Sequence, residues 1–149
     1  MEPTVITLIL IIFGVITNGV LSYIYVVFLR NPHSQQSKDL MLGNGKEWRD
    51  NTHFDLNLGF AWADVLFFIP LFVSGCVGVL LGKPWGYMFF GAAGACMLYI
   101  NIALWFTEKK HVYPALGPLK YFTYFWGFFV YWGLLSLLYS ALRLSGIKF

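Results

Sequence analysis

Four long apolar blocks alternate with polar connections along the chain. About 20 consecutive apolar residues suffice for a helix to cross the hydrocarbon core of a membrane, and each block reaches that length. The pattern predicts an all-α fold: a polytopic integral membrane protein whose four transmembrane helices form one bundle and one membrane domain. The predicted spans cover approximately residues 4–29, 56–81, 85–106 and 121–144, with a polar loop over 30–55.

The second block, LNLGFAWADVLFFIPLFVSGCVGVLL, carries a single acid, Asp64, as its ninth residue. At a rise of roughly 1.5 Å per residue, this carboxylate lies about 12 Å inside the predicted helix. A charge at such a depth costs at least a few kcal/mol in lipid, so Asp64 is expected to face protein, water or a partner. Pro70 follows six residues later and predicts a kink, because proline removes a backbone hydrogen bond from the helix.

Further polar residues are expected on the same side of the bundle as the start of the second span. His53, Asn57 and Asp64 recur at spacings of four and seven, close to one helical face. Asn101 and Glu108 lie seven apart at the end of the third span, which returns to that side. The sequence therefore predicts a polar ligand-binding pocket in one leaflet, lined by Asp64, Asn57, Asn101, Glu108, Tyr124 and His53.

Three classes of function fit this pocket. The leading hypothesis is a small membrane protein that binds or transports a small ligand, proton or cation through the pocket around Asp64. The first alternative is a membrane enzyme, or a lipid- or sterol-like ligand-binding protein, that uses Asp64 and Glu108 as acid/base groups. The second is a non-catalytic membrane subunit or assembly factor, in which stripes of glycine and other small residues are partner interfaces and Asp64 only fixes helix packing through hydrogen bonds.

The composition is typical of a membrane protein, and the sequence indicates no cofactor. The chain is 58% hydrophobic and 11% charged, with a mean hydropathy of +0.66, which is too apolar for a water-soluble domain of this size. Its net charge of +3 comes from basic residues beside the apolar blocks, so we expect no nucleic-acid partner. No catalytic residue or cofactor is identified, and no metal site is expected because His53 and His111 share no spacing motif.

The distribution of lysine and arginine predicts the orientation. Seven lie after the first and third spans and three lie on the other side. The positive-inside rule then puts the two larger loops in the cytoplasm and both termini outside. Because the acidic N-terminus lacks the basic start of a signal peptide, the first span is expected to be retained. The expected location is a prokaryotic cytoplasmic membrane.

Two stripes of small residues predict close helix contacts. Small residues at four-residue spacing allow membrane helices to approach closely. We expect these stripes to form a homo-oligomer interface within the lipid bilayer. They comprise Ser74, Gly78 and Gly82 in the second span, and Gly91 and Ala95 in the third.

The stretch WADVLFFIPLF, residues 62–72, resembles the emopamil-binding-protein-like (EXPERA) membrane domains. The resemblance covers about ten residues and consists of an intramembrane acid followed six residues later by proline. In those domains intramembrane acids face a sterol-sized cavity. The resemblance therefore implies that Asp64 faces a lipophilic small molecule.

Overall fold

The computed structural model describes residues 2–108 and 127–147, and these residues contain helices and no strand. α3, the π-helical turn and α4 run on as one helix over 51–80. Four helices are thus long and apolar enough to cross a membrane, which confirms the predicted all-α class with four such helices. The helices are α1 (Val5–Arg30), α2 (Gln35–Leu42), α3 (Asn51–Ala63), the π-helical turn (Asp64–Phe68), α4 (Ile69–Leu80), α5 (Pro84–Glu108) and α6 (Gly127–Leu144).

The start of the second long helix differs from the one that hydropathy predicts. The predicted loop 30–55 contains α2 and the first residues of α3, which begins at Asn51 because Asp50 caps it through a hydrogen bond from the His53 backbone N–H. Such a cap adds polar residues that a hydropathy window assigns to the loop. The first part of the predicted fourth span, residues 121–126, lies outside the described residues.

The disturbance predicted at Pro70 takes the form of the π-helical turn that begins at Asp64. The backbone N–H of Ile69 donates to the carbonyl of Asp64, five residues earlier rather than four. In a regular α-helix the Pro70 ring would clash with the carbonyl of Leu66. The wider π turn relieves this clash, and such turns occur frequently at functional sites. The structure thus places Asp64 where the regular helix is interrupted.

Glycines bring the backbones of α4 and α5 into direct contact. The chain reverses at Gly82, whose φ of +68° suits a residue without a side chain. A Cβ atom added to Gly86 would lie 2.1 Å from the carbonyl carbon of Gly78, and one added to Gly75 would lie 2.7 Å from the Phe90 nitrogen. The two helices therefore pack as an antiparallel hairpin with little room between them.

A second set of glycines joins α5 to α6. A Cβ atom added to Gly94 would lie 2.7 Å from the carbonyl oxygen of Gly133. One added to Gly133 would lie 2.6 Å from the carbonyl oxygen of Gly94. Gly91 likewise packs against Ser140 of α6. Gly78 and Gly91, two members of the predicted oligomer stripes, are thus used for packing within the chain. A homo-oligomer built on the remaining members stays a prediction.

α1 packs on the bundle through Trp132 of α6. The Trp132 indole Nε1 donates to the Leu10 carbonyl of α1 at 2.9 Å, and its ring stands edge-on to Phe72 and Phe90. This approach depends on Gly14, because a Cβ there would lie 2.5 Å from the indole nitrogen. One indole thereby connects α6 to three other helices at the centre of the buried core.

Candidate functional site

His53 and Glu108 form a buried pair between the first turns of α3 and the last residue of α5. The His53 Nε2 lies 2.9 and 3.1 Å from the two carboxylate oxygens of Glu108. The two residues are only 1% and 4% exposed, so water contributes little to their solvation. The structure thus brings together two of the predicted site residues, on neighbouring helices.

The surroundings of His53 determine which of its ring nitrogens carries a proton. The backbone N–H of Arg49 donates to Nδ1 at 3.3 Å, so Nδ1 acts as an acceptor. Nε2 then carries the hydrogen and donates it to the Glu108 carboxylate. Trp48 stands edge-on to the imidazole, with ring centroids 5.4 Å apart. The contacts fit an imidazole that accepts a hydrogen bond at Nδ1 and donates one from Nε2 to Glu108.

Asp50 caps the first turn of α3, which carries His53, and the titration of its carboxyl makes this cap pH-dependent. The hydrogen bond from the His53 backbone and the contact with the Arg49 side chain lower the pKa of the Asp50 carboxyl. A lowered pKa means that the stabilising contribution is complete above the unfolded value of about 3.9 and is lost as the pH falls below it.

We therefore expect the protection of the His53 amide against hydrogen exchange to decrease on acidification below about pH 4. In Asp50→Asn the amide side chain still caps the helix but does not titrate in this range. Its protection should be independent of pH there, after correction for intrinsic exchange rates. Equal pH dependence in the wild type and in Asp50→Asn would contradict this explanation.

Asp64, the first residue of the π-helical turn, is half-buried beside Tyr25 of α1. The Tyr25 phenol interacts directly with the carboxylate, and Cys96 of α5 lies within electrostatic reach of it. Tyr25 itself is buried in a small cluster with Phe28 and Ala61. Within residues 2–108 and 127–147, Asp64 forms no ion pair. The carboxylate thus has a hydroxyl neighbour but no ion-pair partner among the described residues.

The two predicted asparagines form hydrogen bonds within their own helices. Asn57 donates to the His53 carbonyl at 2.9 Å, and the buried Asn101 donates to the Met97 carbonyl at 2.8 Å. In the described part of the chain, no hydrogen bond links either amide to Asp64. The remaining predicted site residue, Tyr124, lies outside the described residues.

The contacts along α3, α4 and α5 nevertheless place Asp64 and Asn101 at similar depth. His53 is level with Glu108, and Gly75 is level with Phe90. Asp64 lies midway between His53 and Gly75 along its helix. The point of α5 at the same depth is therefore midway between Phe90 and Glu108, which is within one helical turn of Asn101.

Asn18 is a buried polar residue on the Tyr25 face of α1. It is 1% exposed, and neither its Oδ1 nor its Nδ2 has a hydrogen-bond partner within the described ranges 2–108 and 127–147. Asn18 and Tyr25 lie seven residues apart and therefore share one face of α1. Gly14, Asn18 and Tyr25 are spaced by four and seven residues. This spacing in the sequence could have identified the face of α1 that carries Tyr25, the partner of Asp64.

No metal centre is present in the described residues, where no three His, Cys, Asp or Glu side chains gather to hold an ion. No protein-family model, curated protein or solved structure matches the chain. The resemblance to EXPERA domains therefore rests on residues 62–72 alone.

Proposed function

We propose that the chain spans a membrane with its four apolar helices and binds a proton or a small cation at Asp64. The observation that carries this proposal is a half-buried carboxylate in an apolar helix, placed on a π-helical turn without a cationic partner in the described residues. An acid in such a position is costly unless something neutralises it, and a proton or a cation does so.

The outer surface of α1 supports insertion into a membrane. Six of its aliphatic side chains are more than half exposed, which would be an aggregation hazard in water and is ordinary in lipid. These side chains are Val5, Ile9, Ile12, Val15, Ile16 and Val20. The excess of lysine and arginine after the first and third spans supports cytoplasmic loops and external termini, in a prokaryotic cytoplasmic membrane.

The position of the His53–Glu108 pair supports access to Asp64 from the side of α2. Asn57 lies on α3 between this pair and Asp64. Polar side chains therefore occur at three successive depths along the helix. We propose that ions or protons reach Asp64 along this side of α3, and that a complete path across the membrane requires a homo-oligomer.

The enzyme hypothesis is less well supported. Asp64 lies 11 residues along the helix from His53, which pairs with Glu108, so the two acids are separated by about 16 Å along the helix axis. An acid and a base that act on one substrate must both be within hydrogen-bond reach of the reacting atoms. This separation argues against Asp64 and Glu108 as a catalytic pair on a small substrate.

The proposal is tested by the thermal unfolding of the protein in nanodiscs, titrated with Na⁺ or K⁺ at an ionic strength held constant with choline chloride. A bound ion at 100 times its dissociation constant stabilises the folded state by about 2.7 kcal/mol. We expect a saturable increase in melting temperature for the wild type and none for Asp64→Asn. Tyr25→Phe should show a weaker increase.

The same experiment distinguishes the proton from the cation. A melting temperature that depends on pH but not on the cation, and loses this dependence in Asp64→Asn, would identify the proton as the ligand. Asp55→Asn is the matched control, because Asp55 is an exposed acid on the same helix. Equal responses of the wild type and Asp64→Asn to both pH and cations would overturn the proposed function.

A further inference from the structure

A second polar cluster lies at the end of the bundle opposite the His53–Glu108 pair. The start of α1, the start of α5 and the end of α6 meet there. Tyr139 of α6 forms hydrogen bonds through its hydroxyl with Thr4 and Thr7 of α1. This end of the molecule therefore contains a buried polar layer that is independent of Asp64.

Arg143 is the charged member of this layer. It is only 6% exposed, its guanidinium lies 5.4 Å from the centroid of the Tyr87 ring, and its Nη2 donates to the Glu2 carbonyl. Its Nε is buried and has no hydrogen-bond partner in the part of the chain that the structure describes. Among the described residues no acid forms an ion pair with Arg143. A carbonyl and an aromatic ring stabilise the cation but do not neutralise it.

Two further buried donors without partners lie beside Arg143. The hydroxyls of Tyr87 and Ser140 have no hydrogen-bond partner among residues 2–108 and 127–147, and the two residues are 0% and 2% exposed. Ser140 precedes Arg143 by one turn of α6 and packs against Gly91, one turn after Tyr87 on α5. The interface thus gathers three unused donors and one positive charge.

These groups match the chemistry of a phosphate group. An arginine near a membrane boundary ordinarily extends its head toward water, whereas Arg143 turns inward. A buried charge without a counter-ion is strongly unfavourable, and guanidinium forms strong charge-assisted hydrogen bonds with phosphate. The first turn of α5 adds a positive helix terminus on the same side. We infer that Arg143, Tyr87 and Ser140 bind a phosphate group, from either a lipid headgroup or free phosphate.

The test measures the melting temperature of the protein in maltoside micelles, which contain no phosphate. Phosphatidylglycerol or inorganic phosphate is titrated in, and diacylglycerol serves as the control that lacks the phosphate. We expect saturable stabilisation by one of the two phosphate compounds and none by diacylglycerol. Stabilisation by the phospholipid alone identifies a lipid headgroup, and stabilisation by inorganic phosphate identifies the free anion.

Three variants separate binding from folding. Tyr87→Phe removes only an unpaired hydroxyl and should weaken the apparent affinity several-fold without loss of the fold. Arg143→Gln should weaken it at least tenfold. Lys83→Gln removes one exposed positive charge at the same end and should leave the affinity unchanged. No stabilisation of the wild type by either compound, or equal stabilisation of the wild type, Tyr87→Phe and Arg143→Gln, would overturn the inference.

Discussion

Gly86→Ala is expected to disrupt the α4–α5 hairpin and to cause a larger loss of stability than an alanine at any solvent- or lipid-facing glycine. The new Cβ would lie 2.1 Å from the Gly78 carbonyl carbon and 2.3 Å from the Val79 nitrogen. Both are backbone atoms, so no side-chain rotation relieves the contact. Overpacking typically costs about 1–3 kcal/mol, and we expect a loss at or above the upper end of this range.

The free energy of unfolding of Gly86→Ala is best compared with those of Gly19→Ala and Gly59→Ala. An added Cβ at either control position meets nothing within 4 Å. Because alanine favours the helix over glycine by about 0.5–1 kcal/mol, both controls should unfold at or above the wild-type temperature. A Gly86→Ala variant as stable as these controls would contradict the close packing of α4 against α5 at this position.

Glu108→Ala is expected to have the second large effect, because it leaves His53 buried without its partner. A hydrogen bond to a charged group contributes about 1.5–3 kcal/mol, and removing one partner of a buried pair costs more than the bond itself. We expect a loss of about 2–4 kcal/mol in the free energy of unfolding. His53→Ala should have a similar cost, and the double variant should be little worse than either single one.

The exposed pair Lys38–Glu47 provides the control for this double-mutant cycle. Its glutamate side chain is 68% exposed, and exposed pairs contribute about 0–1 kcal/mol. Glu47→Ala should therefore have little effect on unfolding. Additive effects of His53→Ala and Glu108→Ala would mean that the two side chains do not interact, and the structural basis of access to Asp64 would be lost.

The helices could be predicted from sequence because their apolar blocks are long and are separated by polar connections. The interruption around Asp64 was also predictable in kind, since Pro70 cannot continue an α-helix. The form of the interruption could not be predicted, because a kink, a lost hydrogen bond and a π-helical turn can each accommodate a proline. Which of them occurs depends on packing against α1 and α5, which a pattern within one helix does not contain.

The pairing of polar residues was harder to predict because depth along a helix does not determine rotation about its axis. Asn101 lies near the predicted depth, yet its amide forms a hydrogen bond with Met97 in its own helix. Tyr25 interacts with Asp64 from α1, a helix that contributes no residue to the predicted pocket. Arg143 counted toward the predicted orientation as a boundary charge, whereas the structure buries it against Tyr87.

The central claim, that Asp64 exchanges a proton or a cation, is tested most directly by infrared difference spectroscopy in nanodiscs. Wild type, Asp64→Asn and Asp55→Asn are titrated with acid and then with Na⁺ or K⁺. We predict a carboxyl band that changes with pH or cation in the wild type and in Asp55→Asn and is absent in Asp64→Asn. Identical difference spectra for the wild type and Asp64→Asn across the whole titration would contradict the account and leave Asp64 with a role in helix packing alone.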